Sequence, residues 1–471
     1  GVAGCTWSGQ AAGCVCLPGS SSAAQLPTDD VSKVPLAPGA NVLPVTDAYD
    51  QAHLYGPVTR KELAWTCPTG LTTETHTWYT LLENGAFATS QIIYSPVGLW
   101  NPQVQMTFKY FDPKTGRKVW KSKNVSQFEV LEKDRCSCKS ETFSVTLRDL
   151  PDGGQEYAIQ ASLDQDVQLL YTFTRPASAK GWTLGEGARG GHTYFGENLA
   201  APDGYVMHRF WPYVRTSGLI VLDGQGIDAA GQGLYVRAIQ GMRPNLVAAR
   251  WNFVTFQSKD LGGTAATLME LTTTPDYGKP PAEANGDPAR REPQVITFGS
   301  VTCNGHLVAV VGATRSARQP EDTPSAHSAT RITHQQRAYD AETGYQAPQA
   351  IHYHWDGPAL SQGDKVEAAP NTRVTAEVTT QLGEPDKMTG LIDKVDVLAE
   401  IPYFVRKMVN YVAGTKPYIY QTMQSDVQMR LSLPSSILRE AGHSVEGDEP
   451  TAQFDVTGSL FEEHTFISEL H

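Results

Sequence analysis

The sequence predicts an all-β protein in which two successive series of antiparallel strands form barrels or sandwiches, and three observations carry that expectation. Its 471 residues exceed what one hydrophobic core usually supports, so two domains are the natural prior. Hydrophobic residues make up 40% and charged residues 19%, with 42 glycines and 30 prolines, a balance that suits a turn-rich β chain. Short stretches of alternating apolar residues also recur along the chain, each closed by a turn sequence.

The first series opens with THTWYTLL, ending at Leu82 and followed by Glu83-Asn84-Gly85; Asn-Gly is the strongest short hairpin signal. Strands are expected at 87–95, 104–112 and 118–120. Phe143, Val145 and Leu147 alternate, as do Tyr157, Ile159 and Ala161, and 167–175 adds a further strand. Evenly spaced strands with tight turns imply an antiparallel barrel or sandwich. A second series starts near Gly218, with strands expected at 219–222, 233–239, 251–256, 266–272, 295–301, 307–311, 351–355 and 374–379. Two similar series in tandem suggest a duplicated barrel. The expected division is a flexible leader over 1–45, a first β domain over 46–215 and a second over 216–471. Two polar Pro/Gly/Ala stretches, 279–292 and 316–348, read as surface insertions in the second. One short helix is expected toward the C-terminus, over 401–414: Pro402 suits a first turn, and Phe404, Val405, Met408, Val409 and Val412 share one face.

The net charge of −12 argues against nucleic acid, which needs a basic surface to release counterions. Seven cysteines, with Cys14/Cys16 and Cys136/Cys138 spaced too tightly for a zinc cluster, point to a reduced compartment and no metal. No run of 18 apolar residues exists to cross a bilayer, and the opening residues lack the basic start of a signal peptide. The start at Gly1 is expected to reflect processing or trimming. Gly185–Gly191 is glycine-rich but has no Lys-Ser/Thr ending, and no nucleophile elbow or kinase signature occurs, so neither a cofactor nor a catalytic residue is assigned. His352 and His354 share a strand face without a third ligand nearby in sequence.

The stretch from 238 to 258 runs through a Gly-Met-Arg-Pro turn into a strand bearing Trp251, Phe253 and Phe256. It carries large apolar area and arginine but no reactive group, which points to a container. Candidate ligand contacts are His208, Arg209, Phe210 and Trp211 between the two series, with Arg243, Trp251 and Phe253. For the first group, an interdomain packing plug is the competing reading. A structural ion pair to Glu270 or Asp228 competes for Arg243 and Arg250.

At several of these segments the chain resembles the fungal survival factor 1 family. They are the His76-Thr77-Trp78-Tyr79 strand with Gln91–Ser95, Tyr194-Phe195-Gly196, His208–Pro212, the 238–258 block, Asp396–Pro402, Ala413–Gln421, Gly458–Phe461 and Thr465–Ser468. They follow one another over roughly 60–468. The resemblance implies two tandem lipocalin-like barrels and a lipid-binding protein that carries ceramide-type sphingolipids from the endoplasmic reticulum to the Golgi. It further implies a role in survival under oxidative stress, and a cytoplasmic protein in transient peripheral contact with both membranes. The ligand is then expected in an apolar hollow inside one barrel, with the 401–414 helix or the 185–191 loop as its gate. The alternative is a lipocalin-like hydratase, isomerase or cyclase acting on a polyene or polyketide, with Asp228, Glu270 or His208 as its acid. Two departures stand out. Family members are expected to carry an amphipathic N-terminal helix, yet residues 1–20 hold four glycines before Leu17 and no charge. The two insertions also look long.

Overall fold

The structure, a computed structural model, describes residues 34–96, 102–319, 329–400 and 416–469. Among these, nearly all regular structure lies in two curled antiparallel sheets, one of sixteen strands and one of ten. The expected helix at 401–414, and residues 1–33 of the expected leader, lie outside the described residues.

Alternation is the reason these segments form strands. Along Val167–Arg175, the residues Val167, Leu169, Tyr171 and Phe173 are buried while Gln168 and Leu170 face outward, so one side of the pleat joins the core. The expected hairpin forms at Asn84-Gly85: Gly85 takes φ 90°, and the Asn84 side chain accepts from the Ala86 amide. From one edge the main run of the first sheet passes through Lys118–Val125, Gln103–Phe111, Phe87–Ser95, Thr73–Leu82 and Gly231–Gln240. It continues through Gly204–Leu222, Val167–Arg175, Gln155–Ser162 and Phe143–Asp149 to two short strands. Its ends curl together, with the Ser126 amide donating to the Glu141 carboxylate at 2.8 Å. The second sheet runs from His306–Ser316 through Gln294–Cys303, Thr264–Thr272, Arg250–Ser258, Thr451–Phe466, Tyr418–Pro434, Ala368–Gln381 and Ala350–Leu360 to Arg331–Gln335.

Three expectations are corrected. The joint placed between residues 215 and 216 falls inside one unbroken strand, Gly204–Leu222, and Gly231–Gln240 also pairs within the first sheet; the change of sheet comes between Gln240 and Arg250. The second series is expected to start near Gly218, yet Gly218 lies inside that same strand. Its φ of 124° instead lets the strand pass the Leu170 carbonyl, where an added Cβ would sit 2.3 Å away. The end of the leader is not loose: Ala40, Val42, Leu43 and Val45 are buried, and Val42–Leu43 pairs with Tyr194 and Phe195 of the first sheet. Beside them, Asn41 bonds the backbone of Asp276 and Gly278 beyond the second sheet's third strand, and Gly39 accepts from Arg291. The 279–292 stretch is therefore pinned to this segment. Within 316–348, Arg331–Gln335 is a strand of the second sheet, and Ala338–Tyr339 pairs with Gln346–Ala347.

Inside the first sheet, neighbouring strands bring His76, Arg237 and Arg209 into one row, and Trp78, Tyr235 and Trp211 into the next. Glu74 is fully buried and accepts from Arg237 Nη2 at 2.8 Å, from His76 Nε2 at 3.2 Å and from the Thr66 and Cys67 amides. His76 Nδ1 in turn takes the Tyr235 hydroxyl at 2.6 Å. Burial would raise the Glu74 carboxyl, but the His76 hydrogen bond and the Arg237 charge outweigh it and hold it at about 2. For His76, burial outweighs the pull of Glu74 and lowers the imidazole to about 4.

Replacing Arg237 by Met strands a buried carboxylate and should cost about 3–5 kcal/mol in chemical denaturation, whereas adding Glu74→Leu to it should recover most of the loss. The same network should make the protein acid-labile. Below the ordinary imidazole value of 6.5 the unfolded chain takes a proton that folded His76 refuses down to about 4, so stability is full above 6.5 and declines across that window. Glu74 adds a second loss, from its ordinary 4.5 down to about 2. His76→Gln should flatten the upper decline, measured as denaturation midpoint against pH.

Candidate functional site

The Gly204–Leu222 strand presents its residues alternately to two environments, and this separates the expected ligand contacts. Arg209 and Trp211 point into the first sheet's interior. There the rings of Trp78, Tyr157, Trp211 and Tyr235 meet at 4.7–5.4 Å between centres and fill that level of the curl. Arg209 and Arg237 both donate to the Glu62 carbonyl, at 2.7 and 3.0 Å. Burial, followed by the Arg237 charge, lowers the Arg209 guanidinium to about 10.

His208 and Phe210 point the other way, into an apolar seam between the two sheets. Phe210 stacks on Trp182 at 4.4 Å and meets Phe298 of the second sheet at 6.1 Å. His208 lies 5.7 Å from Trp251 and 5.4 Å from Phe298, and burial holds its imidazole down at about 4. Phe253 joins the same seam against Tyr79, at 5.2 Å. Arg243 sits apart, its carbonyl starting the Pro244–Val247 turn of helix. The seven residues thus split between a filled interior, a packed seam and a turn.

Room for a guest lies instead on the outer face of the first sheet. Between that face and the second sheet's Leu391–Asp396 and Tyr418–Pro434 strands runs a crevice of about 280 Å3. Ile93, Trp120, Pro244, Val395, Val397 and Ile419 supply its apolar walls. The polar lining is almost entirely uncharged: Thr73 and Thr75 on one strand, Gln91 on the next, Gln103, Gln105 and Thr107 on the third, with Ser122 and Gln240. Cross-strand register sets them side by side, Thr75 opposite Ile93 opposite Gln105, and Gln91 opposite Thr107 opposite Ser122. Among the described residues the sole charge in the lining is Lys109, whose Nζ rests 3.9 Å from the Trp120 ring centre. Gln103 Oε1 is buried and accepts no hydrogen bond among the described residues. The crevice therefore offers neutral donors and acceptors beside apolar walls. One sequence signal pointed here: a solvated outer face normally alternates Lys and Glu, and four neighbouring strands carry Thr, Gln and Ser in their place.

Other expected groups have structural work. Gly185, at φ 90°, lies flat against Tyr49, whose Cζ would be 2.0 Å from an added Cβ, so the base of the 185–191 loop is packed while its tip, 186–188, is exposed. Glu270 is buried but accepts from Asn252, Thr297 and the Ile332 amide. Asp228 caps the Ala230 amide at an exposed turn. Neither is the partnerless buried carboxylate that a hydratase or cyclase would need. His352 bonds Thr379, and His354 donates to the Ala329 carbonyl.

Comparison with known proteins gives the lineage. The Svf1 family model matches residues 27–468. The ceramide-binding protein svf1 of Aspergillus fumigatus is 30% identical over 423 residues, covering 88% of this chain and 91% of that one. The ceramide-binding protein SVF1 of Yarrowia lipolytica is 30% identical over 410 residues, covering 84% and 91%. Among solved structures, CghA with Sch210972 aligns at a TM-score of 0.49 and 12% identity, over 95% of this chain and 99% of that one. With a family match across nearly its whole length, this chain belongs to the Svf1 family.

Proposed function

We propose that this protein binds a neutral, ceramide-type lipid, and that the crevice between the first sheet's outer face and the Val395–Ile419 wall receives its head group and the start of its tails. The relatives that share its length are named for ceramide binding. The carrying observation is the match of chemistries. A ceramide head has an amide and hydroxyls but no charge, and the crevice meets it with threonine, glutamine and serine, including Gln103 Oε1, without a partner among the described residues, as acceptor for an N–H or O–H. Each methylene removed from water adds about 0.8 kcal/mol, so the tails supply affinity while the side-chain amides supply orientation. At about 280 Å3 the crevice sits at the small end of ligand pockets, roughly 300–1,000 Å3, and holds part of such a lipid.

Among the described residues no helix is long and apolar enough to cross a membrane. Carriage of the lipid between endoplasmic reticulum and Golgi by a cytoplasmic protein touching both membranes transiently, in support of survival under oxidative stress, extends the same reading. Extraction of ceramide from liposomes by the full chain, with bound lipid counted by native mass spectrometry, tests it. Gln103→Leu should weaken binding about five- to ten-fold, the worth of one hydrogen bond. Val395→Asp, which sets a charge in the apolar wall, should abolish it. Wild-type extraction by both folded variants would remove the crevice as the site, and no extraction by the unaltered chain would remove the function.

A further inference from the structure

A second pocket, of opposite character, opens at the end of the second sheet. It measures about 770 Å3, and four arginines line it, Arg250, Arg315, Arg318 and Arg337, against two carboxylates, Glu270 and Glu469. Such a concentration of positive charge runs against the −12 of the whole chain. Neutral lipid would gain nothing from it; an anion would.

The buried groups behind the arginines narrow the choice of anion. Glu270 Oε1 accepts from Asn252 Nδ2 at 3.1 Å, while Oε2 accepts from Thr297 Oγ1 at 2.6 Å and from the Ile332 amide at 3.1 Å. These bonds fix which way the Asn252 amide points. Its Oδ1 therefore faces His334 Nε2 and His464 Nδ1, both at 2.9 Å. A carbonyl oxygen only accepts, so His334 carries its hydrogen on Nε2, and Nδ1 is left as a lone pair. His334 lines the pocket, is 4% exposed, and its Nδ1 has no partner among the described residues. Arg315 Nε is also buried without an acceptor among the described residues. A buried polar atom left unpaired costs about 1–3 kcal/mol, which a fitting ligand would recover.

The fitting ligand must bring negative oxygens for the guanidiniums and a hydrogen for His334 Nδ1. Carboxylate and sulfate bring the first but not the second. A phosphate monoester brings both, because its second ionisation lies near pH 6, about where one oxygen still holds its proton. We propose that this pocket is a phosphate-monoester site, with Arg315 and its neighbouring arginines gripping the anion and His334 Nδ1 accepting the remaining P–O–H. Its independence from the lipid crevice follows from the lining, since the two share no residue.

The bound state keeps one proton between His334 and the phosphate. Burial, then the charges of Arg250, His464, Arg337 and Arg315, keeps the free imidazole neutral; Glu270 stands behind Asn252, and Glu469 at the lining. A free phosphate monoester loses its last proton as the pH rises through about 6, so affinity should fall from pH 6 to pH 8. A mere patch of positive charge would show the reverse, since the dianion is the stronger electrostatic ligand.

Titration calorimetry of the full chain with glycerol phosphate, a soluble phosphate monoester, and flotation with phosphatidylcholine vesicles with and without phosphatidic acid, test the site. Expected are binding to at least one probe that weakens by about ten-fold in Arg315→Gln, as for a lost charged hydrogen bond, and a similar loss in His334→Phe. If His334→Phe does not fold, the half-exposed Arg315→Gln decides alone, with unchanged ceramide extraction as its folding control. Phosphate binding without vesicle binding identifies a soluble phosphate ester; Arg315-dependent binding of phosphatidic acid vesicles identifies a lipid head group. The proposal is overturned if neither probe binds, if sulfate or acetate binds as well as phosphate, if Arg315→Gln is without effect, or if affinity rises from pH 6 to pH 8.

Discussion

Two-residue alternation along the Gly204–Leu222 strand is the constraint on which both halves of the molecule rest. Arg209 and Trp211 complete rows that begin at His76 and Trp78, so the first sheet's interior closes only in this register. His208 and Phe210, one step away on the same backbone, close the seam against Phe298 and Trp251. A slip of one residue would put the guanidinium in the apolar seam and the phenyl ring beside Glu74. Core and seam are therefore specified together.

This arrangement explains why the first sheet's interior is filled rather than hollow. Aromatic rings and a buried Glu74–His76–Arg237 network occupy the first curl, and the residues facing outward carry the uncommitted polar chemistry. The molecule thus offers two unlike receptions. One is a narrow crevice walled by both sheets, with a single lysine among otherwise neutral side chains. The other is a wide, arginine-lined opening backed by Asn252 and two imidazoles. Their linings differ in the property that separates neutral from anionic ligands.

Much of the fold was legible because strand alternation is a local signal. The 87–95 and 167–175 segments coincide with the observed strands Phe87–Ser95 and Val167–Arg175, and Asn84-Gly85 makes its hairpin. The joint between the sheets was misplaced because nothing local joins the residues on either side of Gly218, and only its neighbour across the strand, Leu170, shows that Gly218 serves a close crossing within one strand. The end of the leader was misread for a related reason. Its Pro- and Gly-rich composition describes an unpartnered chain, and the partners of Asn41 lie more than two hundred positions away. Candidate site residues were chosen for aromatic and cationic character, which in this fold marks packing. Gln103, Val395 and His334 gain meaning only once distant strands are aligned, and periodicity cannot supply that alignment.

The Asn41 clamp has a consequence for how the molecule comes into being. Its amide bonds the Asp276 carbonyl 235 positions later. At about 5–20 residues per second, a ribosome leaves this early segment waiting roughly 10–50 s for its counterpart. The first sheet's strands, ending at Gln240, are all made while one of its own edge strands is still tethered to nothing beyond it, and this stitch between the two sheets joins an early portion of the chain to one made much later.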